Sequence, residues 1–230
     1  SGNGLILRGG KESAKTCAAL YALIGEALVE AGIDRNVFLG IANPDRAIVK
    51  DLLQANHYID VVNPRGGEKL IDFVTANSRI PIIKNDRGMC HIYVHEDADL
   101  KMAFSIVENA KTSRPGVCNA METLLVHRKV AAEFIPLLFK LPVEFFCCVN
   151  SLKYFEEAGL KNASAAMDKN FDTEYLDLKM NIKIVENLIE AVAHIDTHGS
   201  KHSEAIITES EEAAKAFQQG VDAAAVYWTA

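Results

Sequence analysis

Short apolar runs recur along this chain, and a helix-length amphipathic stretch follows most of them. That alternation constrains the fold more than any other feature. Leu5-Ile6-Leu7 precedes a helical stretch from Ser13 to Glu30, in which Leu20, Leu23, Ile24, Ala27 and Leu28 form one apolar face before Gly32 stops it. Val37 to Ile41 reads as a second strand. Arg46 to Ala55 reads as a second helix, with Ile48, Leu52 and Leu53 on one side. Ile59 to Val62 is a third strand, followed by the turn Pro64-Arg65-Gly66-Gly67 and a helix through Ala76. Pro81-Ile82-Ile83 and His91 to Val94 complete five predicted strands. A helix over Asp97 to Ser113 then ends at Arg114-Pro115-Gly116. Beyond this break come a strand at Thr123 to His127, a helix at Lys129 to Lys140 and a strand at Glu144 to Val149. A strand at Lys179 to Val185, a helix at Asn187 to His194, a strand at Glu204 to Thr208, a helix at Glu211 to Gln219 and a final strand close the pattern. Strands alternating with helices at this interval predict βαβ units, a parallel sheet and an α/β fold. The break near residues 113–117 predicts two lobes, 1–115 and 116–230. No low-complexity linker separates them, so they are expected to pack together.

Composition narrows the function classes. With 230 residues, 49% of them apolar, the chain is long enough for one large domain or two modest ones. A net charge of −7 offers no basic stripe for phosphate backbones, which argues against a nucleic-acid partner. No run of 18 apolar residues is present to span a membrane, and no charged n-region with an apolar stretch opens the chain. The five cysteines, Cys17, Cys90, Cys118, Cys147 and Cys148, are an odd number. They read as free thiols of a reducing cytoplasm rather than a disulfide framework. The chain opens through Ser1-Gly2-Asn3-Gly4 directly into a strand pattern and stops at Ala223 to Trp228 in another, so further residues are expected on both sides.

Three segments carry residue types suited to chemistry. Cys118 follows a Pro-Gly break between a helix and a strand, with Lys111 and Arg114 on its N-terminal side. Cations beside a thiol favour its nucleophilic, charged form. From the residues alone, a cysteine packed in a loop as a small hydrophobe is the commoner case. The turn Pro64-Arg65-Gly66-Gly67, between a strand and a helix, offers close backbone approach and a helix N-terminus to a phosphate. It is also what a purely steric glycine turn looks like. Arg8 and Lys11, with Gly9 and Gly10 between them, follow the first strand, where α/β sheets bind ligands. Two cations there suit a 2′-phosphate, or a solvated basic loop. No metal site is predicted. Strand alternation puts Cys90 on the opposite face from His91 and His95, the Gly-Ser centre between His198 and His202 reads as a turn, and Cys147-Cys148 reads as core.

The run Asn109-Ala110-Lys111-Thr112-Ser113-Arg114-Pro115-Gly116-Val117-Cys118-Asn119-Ala120-Met121-Glu122-Thr123-Leu124-Leu125-Val126 resembles the active-site segment of the γ-glutamyl phosphate reductases, within the aldehyde dehydrogenase superfamily. Similar stretches occur in order at Gly2 to Glu12, Pro64 to Gly67, Cys90 to Val94, Thr173 to Asp177 and His198 to Ile206, so the resemblance covers nearly the whole chain. It implies a Rossmann-like cofactor lobe, a second α/β lobe carrying the nucleophile, and Cys118 as that nucleophile. It further implies substrate contacts by Lys111, Arg114 and Asn119. The cofactor contacts it implies are Arg8, Gly9, Gly10, Lys11, Arg65, Gly66, Gly67 and Leu70, with Glu174 on the nicotinamide ribose.

The cofactor implied is NADP. The reaction implied is reduction of L-glutamyl 5-phosphate to L-glutamate 5-semialdehyde in proline biosynthesis, through a thioester on Cys118. Homo-oligomers and a glutamate 5-kinase contact are the implied macromolecular partners. Where hydrolytic relatives carry a general-base Glu in Glu-Leu-Gly-Gly, this chain has Lys84-Asn85-Asp86-Arg87, which fits a reaction that needs no activated water. The family also has an earlier Asn of the oxyanion hole and a later N-A-S-T-R-F-x-D-G stretch, whose lead-in Asn-Ala is Thr229-Ala230 here. Rival expectations are the reductase half of a bifunctional pyrroline-5-carboxylate synthase, a thiol hydrolase pairing Cys118 with His127 or His202, and a catalytically silent assembly lobe.

Overall fold

The computed structural model of the chain describes residues 2–43, 45–83 and 87–229, and these divide into two compact units, Ser1–Asn85 and Asp86–Ala230. The division falls before the His91 to Val94 strand rather than at the Pro-Gly break. That break lies inside the second unit, where it joins a helix to the next strand of one sheet.

In the first unit, β1 (Leu5–Arg8) pairs in parallel with β2 (Phe38–Ile41), and α1 (Ala14–Glu30) crosses between them. The apolar face predicted for α1 is not the one that meets the strands: Leu20 and Leu23 are half exposed or more. The face turned inward carries Cys17, Tyr21 and Gly25, and shares Leu28 with the predicted one. Close approach decides this. A Cβ on Gly9 would sit 2.4 Å from Cys17 Sγ, and the Tyr21 ring packs edge-on to Phe38 at 5.7 Å. Beyond α2 (Arg46–Gln54) and α3 (Glu68–Asn77), the predicted third and fourth strands shrink to one bridge, Val62 with Ile82. Pro64 and Pro81 bound that bridge and supply no N–H to extend a ladder.

The second unit is built on seven parallel strands. In chain order its elements are β3 (Cys90–Val94), α4 (Leu100–Thr112), β4 (Met121–His127), α5 (Arg128–Phe134), β5 (Glu144–Cys147), α6 (Val149–Glu157), β6 (Ala163–Ala165), α7 (Asp168–Phe171), β7 (Lys179–Val185), α8 (Leu188–His198), β8 (Ser203–Ile207), α9 (Glu211–Gly220) and β9 (Ala225–Trp228). The spatial order is β6-β5-β7-β4-β3-β8-β9. Every residue of β3 and β4 is buried, as a parallel sheet covered on both faces requires. Ile92, Val94, Leu124 and Val126 face α4 and α5 through Ala103, Val107 and Phe134. Tyr93, Leu125 and Ile206 face α8 and α9 through Ile195, Ala214 and Phe217. Loop polar residues start the helices: Asp99 accepts from Lys101 N at 2.8 Å and Met102 N at 3.1 Å, and Asn187 accepts from Glu190 N at 3.0 Å. The α6–β6–α7 segment had no counterpart among the predicted elements. Its strand is short and lies at the sheet edge, so it carries little apolar patterning.

Candidate active site

The loop between α4 and β4 presents Cys118 at the amino end of the central strands. Cys118 is the exposed thiol among the five cysteines, all of which are free, and its loop neighbours Arg114 and Asn119 are exposed with it. Turn bonds from Val117 N to Arg114 O (3.4 Å) and from Ala120 N to Val117 O (3.0 Å) shape the loop. The segment that leads into β3 supports it from below. A Cβ on Gly88 would lie 1.7 Å from the Cys118 carbonyl oxygen, so only glycine fits beneath the nucleophile. Cys90 Sγ donates to that same carbonyl at 3.2 Å. Burial, then the nearby Glu204 charge, pushes the Cys90 thiol up to about 12, which keeps it protonated as a donor.

Side chains from distant elements hold this supporting segment. Glu174 Oε1 accepts from Gly88 N at 2.7 Å, Ser200 Oγ from Met89 N at 2.9 Å, and Glu204 Oε2 from His91 N at 2.7 Å. The ladder between β3 and β4 shifts register between Cys90 and His91, and Glu204 satisfies the amide there. Arg87 Nη1 donates to Asp172 O at 2.7 Å, whereas Lys84, Asn85 and Asp86 of the hydrolytic-base position lie outside the described residues, as do Ser1 and Ala230. A cavity of about 450 Å³ opens beside the loop, reaching Asn119 and lined by Cys90, Met102, Ile106, Asn109 and Ser203.

Lys111 stands apart from the substrate contacts expected of it. Its side chain is fully buried, and Nζ donates to Glu122 Oε2 at 2.9 Å. Burial pulls the Lys111 ammonium below its ordinary value and pushes the Glu122 carboxyl above its own; each partner's charge opposes the other's shift. Removing one partner alone would leave a buried charge, at a cost of about 3–5 kcal/mol. Lys111 therefore clamps the two stems of the Cys118 loop and does not present a cation to solvent.

Neither histidine expected of a thiol hydrolase pairs with Cys118. His127 ends the seven-residue β4 that Cys118 precedes, roughly 20 Å away at the usual rise per strand residue, and its Nδ1 accepts from Lys129 N at 3.2 Å. His202 Nδ1 meets Ser203 Oγ at 2.8 Å and the Cys90 thiol at 3.9 Å. Residues 199–202 form a loop between α8 and β8, as the Gly-Ser pattern predicts.

In the first unit, Arg8 closes β1, with Nη2 donating to Asp45 O at 3.5 Å, and Lys11 opens a short 3-10 turn over Lys11–Ser13. Gly9 serves the approach of α1, its free side being filled by Cys17. Gly67 is the N-cap of α3 and brings no capping side chain of its own, and among the described residues nothing beyond its chain neighbours lies within 4 Å of where a Gly67 Cβ would be. That open turn fits a phosphate of a dinucleotide. Arg65 and Gly66 are exposed beside it. The Leu70 methyl Cδ2 lies 2.7 Å from the position of a Gly66 Cβ.

A family model described as the aldehyde dehydrogenase family matches residues 1–141. The chain belongs to the aldehyde dehydrogenase family. Within that family it is 47% identical to a γ-glutamyl phosphate reductase of Clostridium tetani, over 99% of this chain and 55% of the relative. It superposes on the crystal structure of a γ-glutamyl phosphate reductase from Thermotoga maritima with a TM-score of 0.94 and 42% identity, covering 100% of this chain and 55% of that one. A more distant structure, a glyceraldehyde-3-phosphate dehydrogenase of Methanocaldococcus jannaschii complexed with NADP, shares the fold at a TM-score of 0.75 and 16% identity, over 99% of this chain and 58% of that one. This aldehyde dehydrogenase chain spans about half the length of the curated relatives it matches.

Sequence reasoning assigned no role to Gly88, Cys90, Glu122, Ser200 or Glu204. Cys90, Glu122, Ser200 and Glu204 lie within the stretches that carry the resemblance, and that is their available signal. Nothing local marks Gly88, because its constraint comes from a carbonyl thirty residues later in the chain.

Proposed function

We propose that this chain carries the nucleophile and cofactor-binding residues of an NADPH-dependent reductase that converts L-glutamyl 5-phosphate to L-glutamate 5-semialdehyde and phosphate in proline biosynthesis. The observation that carries the reading is Cys118: an exposed thiol on a loop whose backbone is locked by Gly88, Cys90 and the Lys111–Glu122 pair, with Arg114 beside it. The Cys118 thiolate attacks the acyl carbon, and the carbon–oxygen bond to phosphate breaks with its electron pair leaving on phosphate. Arg114 and Asn119 bind the anionic substrate and its departing phosphate. The Cys118 amide donates to the oxyanion that develops on the acyl oxygen. NADPH, when bound, would supply the hydride that reduces the thioester, and the Cys118 amide would then donate to the alkoxide of the hemithioacetal anion held on Cys118. Collapse of that adduct releases the aldehyde and returns the thiolate. No activated water takes part, which agrees with the missing general-base Glu.

On this reading the open Gly67 turn holds the pyrophosphate, Arg8 and Lys11 favour the 2′-phosphate of NADP over NAD, and Glu174 accepts from the nicotinamide ribose with the oxygen not given to Gly88. The first unit is then the cofactor lobe and the second the catalytic lobe. Five free cysteines support a cytoplasmic setting, and among the described residues no helix is long and apolar enough to cross a membrane. A homo-oligomer and a contact with glutamate 5-kinase belong to the same proposal. The test is phosphate-dependent reduction of NADP by glutamate 5-semialdehyde, in the full-length protein and its Cys118→Ala variant. Activity is expected in the first and its loss, by at least a thousandfold, in the second. A folded wild type without activity would sink the reading.

A further inference from the structure

The reductase reading assigns Cys118 and Glu174 to the two sides of one reaction, and a single buried carboxylate touches the supports of both. Glu122 Oε2 accepts from Lys111 Nζ at 2.9 Å, which clamps the last turn of α4 to the start of β4 around the Cys118 loop. Glu122 Oε1 accepts from Leu176 N at 3.2 Å, which fastens the Thr173 to Asp177 loop carrying Glu174. Leu176 sits in the left-handed region at φ 52°, a conformation a leucine holds only when its surroundings fix it. The loop has a second anchor in the Tyr175 side chain. Tyr175 stacks on Phe146 at 5.1 Å, and its hydroxyl donates to Asn181 Oδ1 at 2.8 Å. Loss of the Glu122 contact would therefore release the backbone around Leu176 without detaching the loop.

We propose that Glu122 is a positioning residue that holds the nucleophile loop and the Glu174 loop in one register, acting through its bond to the Leu176 amide. The inference rests on the reductase reading for its catalytic consequence but not for its structural one. Two double variants isolate the bond. Both replace Lys111 with Met, so that no buried cation is left unpaired. Lys111→Met/Glu122→Gln keeps an acceptor for Leu176 N, and Lys111→Met/Glu122→Leu removes it at nearly equal volume.

In the Glu122→Leu variant, amide exchange at Leu176 should quicken at least tenfold and alkylation of Cys118 by iodoacetamide should change at least fivefold. In the full-length enzyme kcat should fall at least tenfold. A Glu174→Gln substitution that costs tenfold in the wild type should then add less than twofold. The Glu122→Gln variant, which loses the same Lys111 clamp, should keep Leu176 exchange within threefold of wild type and at least five times the kcat of the leucine variant. Equal behaviour of the two variants overturns the proposal. If the leucine variant does not fold, a tenfold loss of Leu176 protection in the glutamine variant overturns it instead. If the wild-type enzyme shows no reductase activity, that reading fails, and exchange at Leu176 with alkylation of Cys118 still decides the coupling.

Discussion

Gly88 and Cys118 meet so closely that the chemistry of one depends on the absence of a side chain on the other. A methyl group on Gly88 cannot be accommodated by rotating a side chain, because the atoms it meets are the Cys118 carbonyl and Cα. Gly88→Ala should therefore displace the nucleophile loop, at a cost of roughly 1–3 kcal/mol in stability. Cys118 alkylation and the proposed activity should both change at least tenfold, and peptide-resolved mass spectrometry with a thermal melt measures the two effects together. The cysteines divide by burial in the same way. Cys90 and Cys147 are held at about 12, chiefly by desolvation, so near neutral pH limited iodoacetamide should label Cys118 well ahead of both. Residue type alone allowed Lys111 to be an anion ligand. Its burial against Glu122 makes it a clamp, because an ammonium removed from water needs a fixed counter-charge.

At the scale of elements, α4 matters most, since it delivers the chain to the Cys118 loop. Its first turn is satisfied by Asp99, which accepts two backbone N–H groups. Asp99→Ala should cost about 1 kcal/mol, read as a lower melting temperature, and should leave Cys118 alkylation unchanged because the cap lies at the opposite end of the helix. The period of apolar residues located the strands β3, β4, β7 and β8 within two residues, since these are doubly covered and strongly patterned, but it placed the helices less closely: α4 starts three residues later and α8 ends four residues later than predicted. It failed where context outweighed pattern. The stripe of Leu20, Leu23 and Ile24 on α1 stays exposed while Cys17 and Tyr21 pack against Gly9, Phe38 and Gly40, and prolines cut two predicted strands to a single bridge.

At the scale of the whole molecule, the second unit stores an acid sensitivity in its core. Burial first, then neighbouring His91, Lys183 and His198, pulls His194 down to about 2, and its Nδ1 faces Lys183 Nζ at 3.2 Å. The folded chain thus keeps His194 neutral while the unfolded chain protonates it near pH 6.5. The stability it contributes is complete above that value and is lost as pH falls towards 2, by at most about 1.4 kcal/mol per pH unit. His194→Gln keeps an acceptor for Lys183 and removes the titration. Denaturant unfolding between pH 7 and pH 4 should therefore show a shallower loss of stability, by up to one proton; an unchanged slope would mean that His194 is not the group responsible. The sequence by itself determined the alternation of strands and helices, hence a parallel α/β fold, and the contiguous motif around Cys118, because both are written in local order. Only the tertiary structure decided where the units divide, which face of α1 turns inward, and that Gly88, Glu122, Glu174 and Glu204 meet the backbone segments around Cys118. Those facts depend on close approaches between residues far apart in the chain, and no local pattern encodes them.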